Sequence, residues 1–304
     1  MGRQRYINVK AFFLAFLLSM AVLGVISTGI MAFIGLLSPS ESLPQSVAGE
    51  PEYQPVEGDR LTLLVMCCKD DTQPPDRYTL LRFFPEERVI RVVPIPPELE
   101  ATVNIETGTL PQLYEYGGVQ TVCSGVENAF FIQVDRYLKC NEKALSGLID
   151  QVGGIEYQVE QTVEYQAEET GETVRLVEGL QLLGGRKALE YLASPLVSEL
   201  PESAKLEKQA VFLKAGLEQR FSEGILARTD KLFSLLSNTM QTNLTNYDYV
   251  TRKEAIRFLA RIDEEKVAFR QIEGSYREER DGKRFTPSAD GKAMMQEWFE
   301  KAEE

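Results

Sequence analysis

The chain has 304 residues, 43% hydrophobic and 26% charged, and its 46 Asp and Glu against 33 Lys and Arg give a net charge of -13. Such an acidic surface repels the phosphate backbone, which excludes nucleic acid as a partner, and a mean hydropathy of -0.20 excludes a polytopic membrane protein. There is no histidine, so Ser-His-Asp, Cys-His and His-zinc chemistry is ruled out.

The N-terminus departs from this average. Ala11–Leu37 holds no charged residue and no proline, and about 20 such residues cross the hydrocarbon layer as a helix. Arg3, Arg5 and Lys10 precede it, whereas Glu41, Glu50, Glu52, Glu57 and Asp59 follow. Basic residues stay on the cytoplasmic side. The expected layout is a cytoplasmic N-terminus at 1–10, a single-pass membrane anchor at 11–37 and everything beyond it extracytoplasmic. A cleaved signal peptide fits less well, because the apolar run is too long and Leu36-Leu37-Ser38-Pro39 is a poor cleavage site. Residues 38–60, rich in Pro, Ser, Gly and Glu, read as a linker, which leaves 61–304 as the folded domain.

Within that domain, Leu61–Met66 is a short apolar run expected as a buried strand. Thr79–Phe84 and Val89–Ile95 flank Pro85-Glu86-Glu87 and predict a hairpin. Val119–Ala129 has helical spacing, and Gln133–Leu138 is a strand candidate. Glu142–Val152 is an amphipathic helix stopped by Gly153-Gly154, and Ile155–Val159 follows as a strand. Helices are expected at Gly185–Leu192 and Glu202–Phe221. A further helix starts at Thr251, with Glu254 completing a capping box. Lys266–Ile272 reads as a strand and Ser288–Ala302 as a terminal helix. Alternating strands and helices give an α/β class with a mixed central sheet flanked by helices. Of the four cysteines, Cys67 and Cys68 sit inside the first apolar run and read as small buried hydrophobes. The sequence does not pair Cys67, Cys68, Cys123 and Cys140 into disulfides.

Taken in order, several motifs resemble the LytR-CpsA-Psr family. They are Leu113-Tyr114-Glu115-Tyr116-Gly117-Gly118, Val126-Glu127-Asn128, Val134-Asp135-Arg136-Tyr137, Leu148-Ile149-Asp150-Gln151-Val152-Gly153-Gly154-Ile155, the run from Glu178 to Leu189 containing Gly184-Gly185-Arg186-Lys187, and Thr242-Asn243-Leu244-Thr245. The resemblance spans most of Leu61–Ile272. It implies a membrane-anchored extracytoplasmic phosphotransferase that moves glycopolymer from a polyprenyl pyrophosphate carrier to the cell wall. In such a protein acidic residues hold Mg²⁺ and arginines hold the pyrophosphate.

The charged positions of that family are the ones altered here. Its Gly-x-Asp aligns with Cys67-Cys68-Lys69, and its Arg-Ser-Asp-Thr with Asp76-Arg77-Tyr78-Thr79, which puts Tyr78 where a magnesium-binding acid is expected. Its Ile-Pro-Arg-Asp aligns with Ile95-Pro96-Pro97-Glu98, and its Arg-x-Arg with Ala193-Ser194-Pro195. Its Arg-x-x-Arg-Gln persists as Lys205, Lys208 and Gln209, the candidate pyrophosphate-binding residues, with point charges in place of guanidinium forks. Asp76 and Arg77 are the candidate catalytic pair, shifted by one position. Asp70, Asp71 and Asp76 are the candidate ligands for Mg²⁺, required only if the protein is active. Three readings stay open: an impaired, pseudoenzyme-like envelope protein that binds a lipid-linked or wall glycopolymer or a protein partner, an active Mg²⁺-dependent transferase, and a scaffold that binds no ligand.

Overall fold

The computed structural model describes residues 53–299 except 168–170, 223, 225–226 and 263–264. The stretch expected to be the membrane anchor, 11–37, lies outside the described residues. Among the described residues no helix is long and apolar enough to cross a membrane. The described residues from Tyr53 onward form one compact unit. Residues 53–60, in the stretch read as linker, pack on that unit. The Tyr53 ring meets Phe258 edge-on at 6.2 Å, and its hydroxyl hydrogen-bonds the buried Asp59. Arg252 donates to the carbonyls of Asp59 and Arg60, each at 3.1 Å. Arg60 in turn grips Glu86 with two nitrogens, at 2.7 and 3.0 Å.

The chain then enters β1 (Leu61–Cys68), where strict alternation buries Thr62, Leu64, Met66 and Cys68 and leaves the odd residues half-buried. β2 (Arg77–Phe84) and β3 (Val89–Ile95) form the expected hairpin, turned by a 3-10 segment Pro85–Glu87 that Arg88 closes at φ 57°. A small hairpin of β4 (Ala101–Val103) and β5 (Glu106–Gly108) leads to α1 (Leu110–Phe130). Thr109 and Gln112 form a capping box at the start of α1, so the helix begins nine residues before the expected Val119. Gly117 and Gly118 leave helical geometry inside it, Gly118 at φ +69°, a conformation that glycine alone adopts freely. The expected Val119–Ala129 segment is the half of α1 after this kink.

β6 (Arg136–Asn141) sits three residues later than expected. α2 (Glu142–Val152) is capped by the Asn141 side chain, which accepts from Ala144 N at 2.8 Å, and Gly153 stops it at φ 94°. β7 (Ile155–Val159), the hairpin of β8 (Val163–Gln166) and β9 (Thr173–Leu176), and β10 (Gly179–Leu183) follow, with β10 pairing back on β7. Next come α3 (Gly185–Ala193), the single turn α4 (Pro195–Ser198), α5 (Glu202–Arg220) and α6 (Thr229–Thr239). A two-residue β11 (Gln241–Thr242) precedes α7 (Asn246–Thr251) and α8 (Lys253–Ala260). The capping box belongs to Thr245 and Asp248 at the head of α7, rather than to Thr251 and Glu254. Thr251 instead bonds back to the Tyr247 carbonyl at 2.8 Å. β12 (Val267–Phe269) is the core of the longer strand expected there. The hairpin of β13 (Gly274–Glu279) and β14 (Gly282–Pro287) precedes α9 (Ala289–Phe299).

The central sheet runs β11-β6-β1-β2-β3-β12. β1 is parallel to β6 and antiparallel to β2, and β3 is parallel to β12, so the sheet is mixed as expected. Its even-numbered β1 face packs on α1 and α9 in the largest core, through Leu64, Met66, Leu80, Val122, Phe130 and Phe299. Each such side chain, fully removed from water, contributes about 1.5–3 kcal/mol. The opposite face carries two separate clusters. One joins Ile90, Val92, Leu259 and Val267 to the partly buried Leu81, Phe83, Leu213 and Leu217. The other joins Leu138, Cys140 and Met240 to the partly buried Leu63, Val65, Leu148 and Leu236.

Candidate functional site

Where those two clusters meet, the central strands are less completely covered than on their opposite face. Leu61, Leu63, Val65 and Cys67 of β1 and Thr79, Leu81 and Phe83 of β2 are all half-buried, while their even-numbered neighbours Leu64, Met66 and Leu80 have no exposed surface. The result is an apolar groove along the two central strands, walled by Leu213 and Leu217 of α5 and Phe221 just beyond it on one side and by Leu148 and Leu236 on the other. At the end of the groove where β1 begins, a cavity of about 290 Å3 is lined by Leu61, Phe83, Phe221, Leu232, Phe233 and Leu236. Asp248, Tyr249 and Arg252 also line it.

At the other end of the groove, pairing across three strands places Arg77, Cys67 and Cys140 in one row. Arg77 donates to Asp76 at 3.2 Å and to Glu142, the first residue of α2, at 2.5 Å. The Cys67 and Cys140 sulfurs are 3.2 Å apart. The structure therefore brings the candidate pair Asp76 and Arg77 together and adds Glu142, which sequence reasoning missed. Glu142 looked like an ordinary acid in the first turn of a helix, and only the parallel pairing of β6 with β1 brings it across to Arg77.

The candidate magnesium ligands do not converge. Asp70 accepts from Thr72 N at 2.8 Å, from its hydroxyl at 2.5 Å and from Gln73 at 3.3 Å, so it closes its own loop. Asp71 turns to the opposite sheet face, where it accepts from Asn141 at 2.9 Å and pairs with Lys139 at 3.8 Å. Asp76 is held by Arg77. Among the described residues no three Cys, Asp or Glu side chains form a set that could hold a metal ion. Tyr78, at the expected acid position, is 2% exposed and donates its hydroxyl to the Pro75 carbonyl at 2.7 Å. Burial pushes its phenol well above the usual range, with Asp76 adding to the effect. This donor set does not fit Mg²⁺, which takes near-octahedral oxygen ligation.

The candidate pyrophosphate residues stand on α5. Lys205 pairs with Glu202 at 3.4 Å. Lys208 pairs with Glu160 at the end of β7, and the Tyr191 hydroxyl donates to the same carboxylate at 3.2 Å. Gln209 is half-buried beside them. Spacing alone places both lysines on one helix face, but each is neutralised by its own acid. A cavity of about 420 Å3 opens next to this stretch, lined by Pro94, Pro96, Leu206, Gln271, Tyr276 and Phe285. Glu98 follows Pro96-Pro97. One of its carboxylate oxygens is buried with no hydrogen-bond partner among the described residues. Burial raises this carboxyl, and Glu202 raises it further. Ser194, where an arginine was expected nearby, is fully buried and donates to the Tyr191 carbonyl at 2.6 Å, a purely structural bond.

A mixed sheet covered by helices on both faces, with an apolar groove along its central strands, defines the class as a mixed α/β domain, and comparison with known proteins gives its family. The chain belongs to the LytR_cpsA_psr family, which matches residues 71–300. Over 211 residues it is 22% identical to the polyisoprenyl-teichoic acid–peptidoglycan teichoic acid transferase TagU of Bacillus subtilis, a match covering 67% of each protein. It is 21% identical to TagV of the same organism over 56% of this chain, and the match spans 44% of TagV. Among solved structures, a putative transcription regulator from Eubacterium siraeum superposes with a TM-score of 0.72 at 16% identity, covering 86% of this chain and 98% of the other. B. subtilis TagV superposes with a TM-score of 0.65 at 19% identity, covering 80% of this chain and 98% of the other. TagT bound to LIIa-WTA gives 0.63 at 19%, covering 86% and 99%. At these identities the structures establish a common fold.

Proposed function

We propose that this protein is a membrane-anchored, extracytoplasmic envelope component that holds a polyprenyl-linked wall glycopolymer and has lost most of the family's transfer chemistry. The observation that carries the reading is the half-buried apolar face of β1 and β2 leading into the cavity at Phe83, Phe221 and Leu232. A soluble core fills such a face to the density of an organic crystal. A long apolar polyprenyl chain lying between α5 and α6 completes it. The relatives named as teichoic acid transferases support a wall polymer as the cargo.

Loss of chemistry follows from the charged ends. Phosphoryl transfer depends on positioned charge more than on any covalent step by the protein. Here Lys69 and Tyr78 stand at the two acid positions, Pro97 and Ala193 at arginine positions, and the surviving cations Lys205 and Lys208 are each paired with an acid. Asp70 and Asp71 are committed to other partners.

The test uses the purified full-length protein in detergent, with a polyprenyl pyrophosphate as probe, with and without Mg²⁺. Saturable binding without phosphate release is the expected result. Mg²⁺-dependent release would establish an active transferase and overturn the impaired reading. No binding would leave the scaffold reading standing.

A further inference from the structure

We propose that Cys67 and Cys140 are a thiol–disulfide exchange pair, Cys67 the attacking thiol and Cys140 the resolving one, and that oxidation bridges β1 to β6 at the polar end of the groove. Four observations carry this. The two residues are direct partners in the parallel β1–β6 ladder, and adjacent strands lie about 4.8 Å apart, inside the Cα separation a disulfide spans. Their sulfurs already face each other at 3.2 Å. Access is unequal: Cys67 is half-buried on the open groove face, whereas Cys140 is 3% exposed. The charge around them is unequal too, since Arg77 is the direct partner of Cys67 on its other side.

The electrostatics run the same way. The hydrogen bond with Cys140 holds the Cys67 thiol below its ordinary range against burial, with Arg77 adding to the effect. The same bond and burial push Cys140 far up. A partly exposed thiol beside a cation, facing a fully buried thiol, is the asymmetry that exchange uses. The other two cysteines lack it. Cys68 points to the opposite sheet face and donates to the Cys140 carbonyl at 3.3 Å. Cys123 is buried in α1, and burial pushes its thiol up to about 12.

The oxidant is an external disulfide. The Cys67 thiolate attacks one of its sulfurs, forming a mixed disulfide and expelling a thiolate that takes up the proton Cys67 released. Cys140 then loses its proton and attacks the Cys67 sulfur, forming the Cys67–Cys140 bond and releasing the second external thiol. Two protein thiols are oxidised and one disulfide is reduced to two thiols, with protons conserved. The bridge closes the intervening chain on itself and ties down β1 just before the loop bearing Asp70, Asp71 and Asp76.

The experiment treats the purified full-length protein with oxidised glutathione, alkylates the remaining thiols under denaturing conditions and maps the peptides by mass spectrometry. A Cys67–Cys140 linked peptide is expected, with Cys68 and Cys123 alkylated and the melting temperature several degrees above that of the reduced protein. In Cys140→Ser, a glutathione adduct should persist on Cys67, and in Cys67→Ser none should form on Cys140. Free Cys67 and Cys140 after oxidation, or a bridge that uses Cys68, overturns the proposal. No lipid or polymer enters this assay, so its outcome is independent of the proposed cargo.

Discussion

Arg136 and Asp248 meet as two parallel charge-assisted hydrogen bonds, Nε to Oδ2 and Nη2 to Oδ1, both at 2.8 Å, with Asp248 only 4% exposed. The pair fastens the start of β6 to the head of α7, beside the apolar cavity. Burial works to raise the Asp248 carboxyl, and the bonds from Arg136 and Thr245 outweigh it and hold it at about 2. A carboxylate depressed on folding stabilises the fold above its unfolded pKa, near 4, and that contribution is lost as pH falls through 2. Linkage sets its size at about 2 kcal/mol. Acid titration of stability should therefore show a component between pH 4 and 2 that Asp248→Asn lacks, measured by urea unfolding at each pH.

Glu98 has the opposite sign. Its carboxyl is raised by burial, so its ionisation opposes folding, and stability falls as pH rises past the ordinary glutamate value near 4.3. Glu98→Gln keeps the shape and removes the charge. It should raise the melting temperature at pH 7 and leave it nearly unchanged at pH 4, as differential scanning fluorimetry at the two pH values would read.

Two glycines on neighbouring helices should respond in opposite directions. A Cβ on Gly185 would collide with the carbonyl and side chain of Ser146, where α3 crosses α2. Gly185→Ala should cost about 1–3 kcal/mol through forced backbone displacement. Gly147 lies inside α2 with nothing near its Cβ direction, and Gly147→Ala should gain up to about 1 kcal/mol from helix propensity. Chemical denaturation of both variants separates close packing from a general effect of added methyl groups.

Val65 faces the middle of the groove. Val65→Glu places a carboxylate where an apolar chain would lie, and desolvating that charge should weaken polyprenyl pyrophosphate binding by about tenfold or more. Fluorescence titration with a labelled lipid reads the loss, and circular dichroism checks that the fold persists. Unchanged affinity would place the lipid elsewhere.

The parts of the fold that sequence predicted well are those where a local chemical signal and the tertiary structure agree. The Asn141 cap and Gly153-Gly154 bound α2 at the expected residues, and Pro85-Glu86-Glu87 marks the β2–β3 turn. The β13–β14 hairpin was not foreseen because Gly274–Glu279 is polar apart from Tyr276 and faces solvent, with no apolar alternation to read. Thr251 and Glu254 have the spacing of a cap, yet Thr245 holds the cap because Asp248 is the acid that Arg136 anchors. The site was legible as a list of altered charges. Its geometry was not, since the row Arg77–Cys67–Cys140 exists only through the registers of two strand ladders.

The clamp at Tyr53–Arg60 has a mechanical consequence. Arg252 and Glu86 seize the chain one step before it becomes β1, a central strand with a hydrogen-bonded neighbour on each side. Tension applied at Tyr53 meets this clasp first. If the clasp yields, the load runs along β1 and shears both ladders at once, because their hydrogen bonds lie across the strand axis. An edge strand under the same pull would unzip bond by bond. A pull from the N-terminal side therefore meets the clasp first and two strand ladders in shear second.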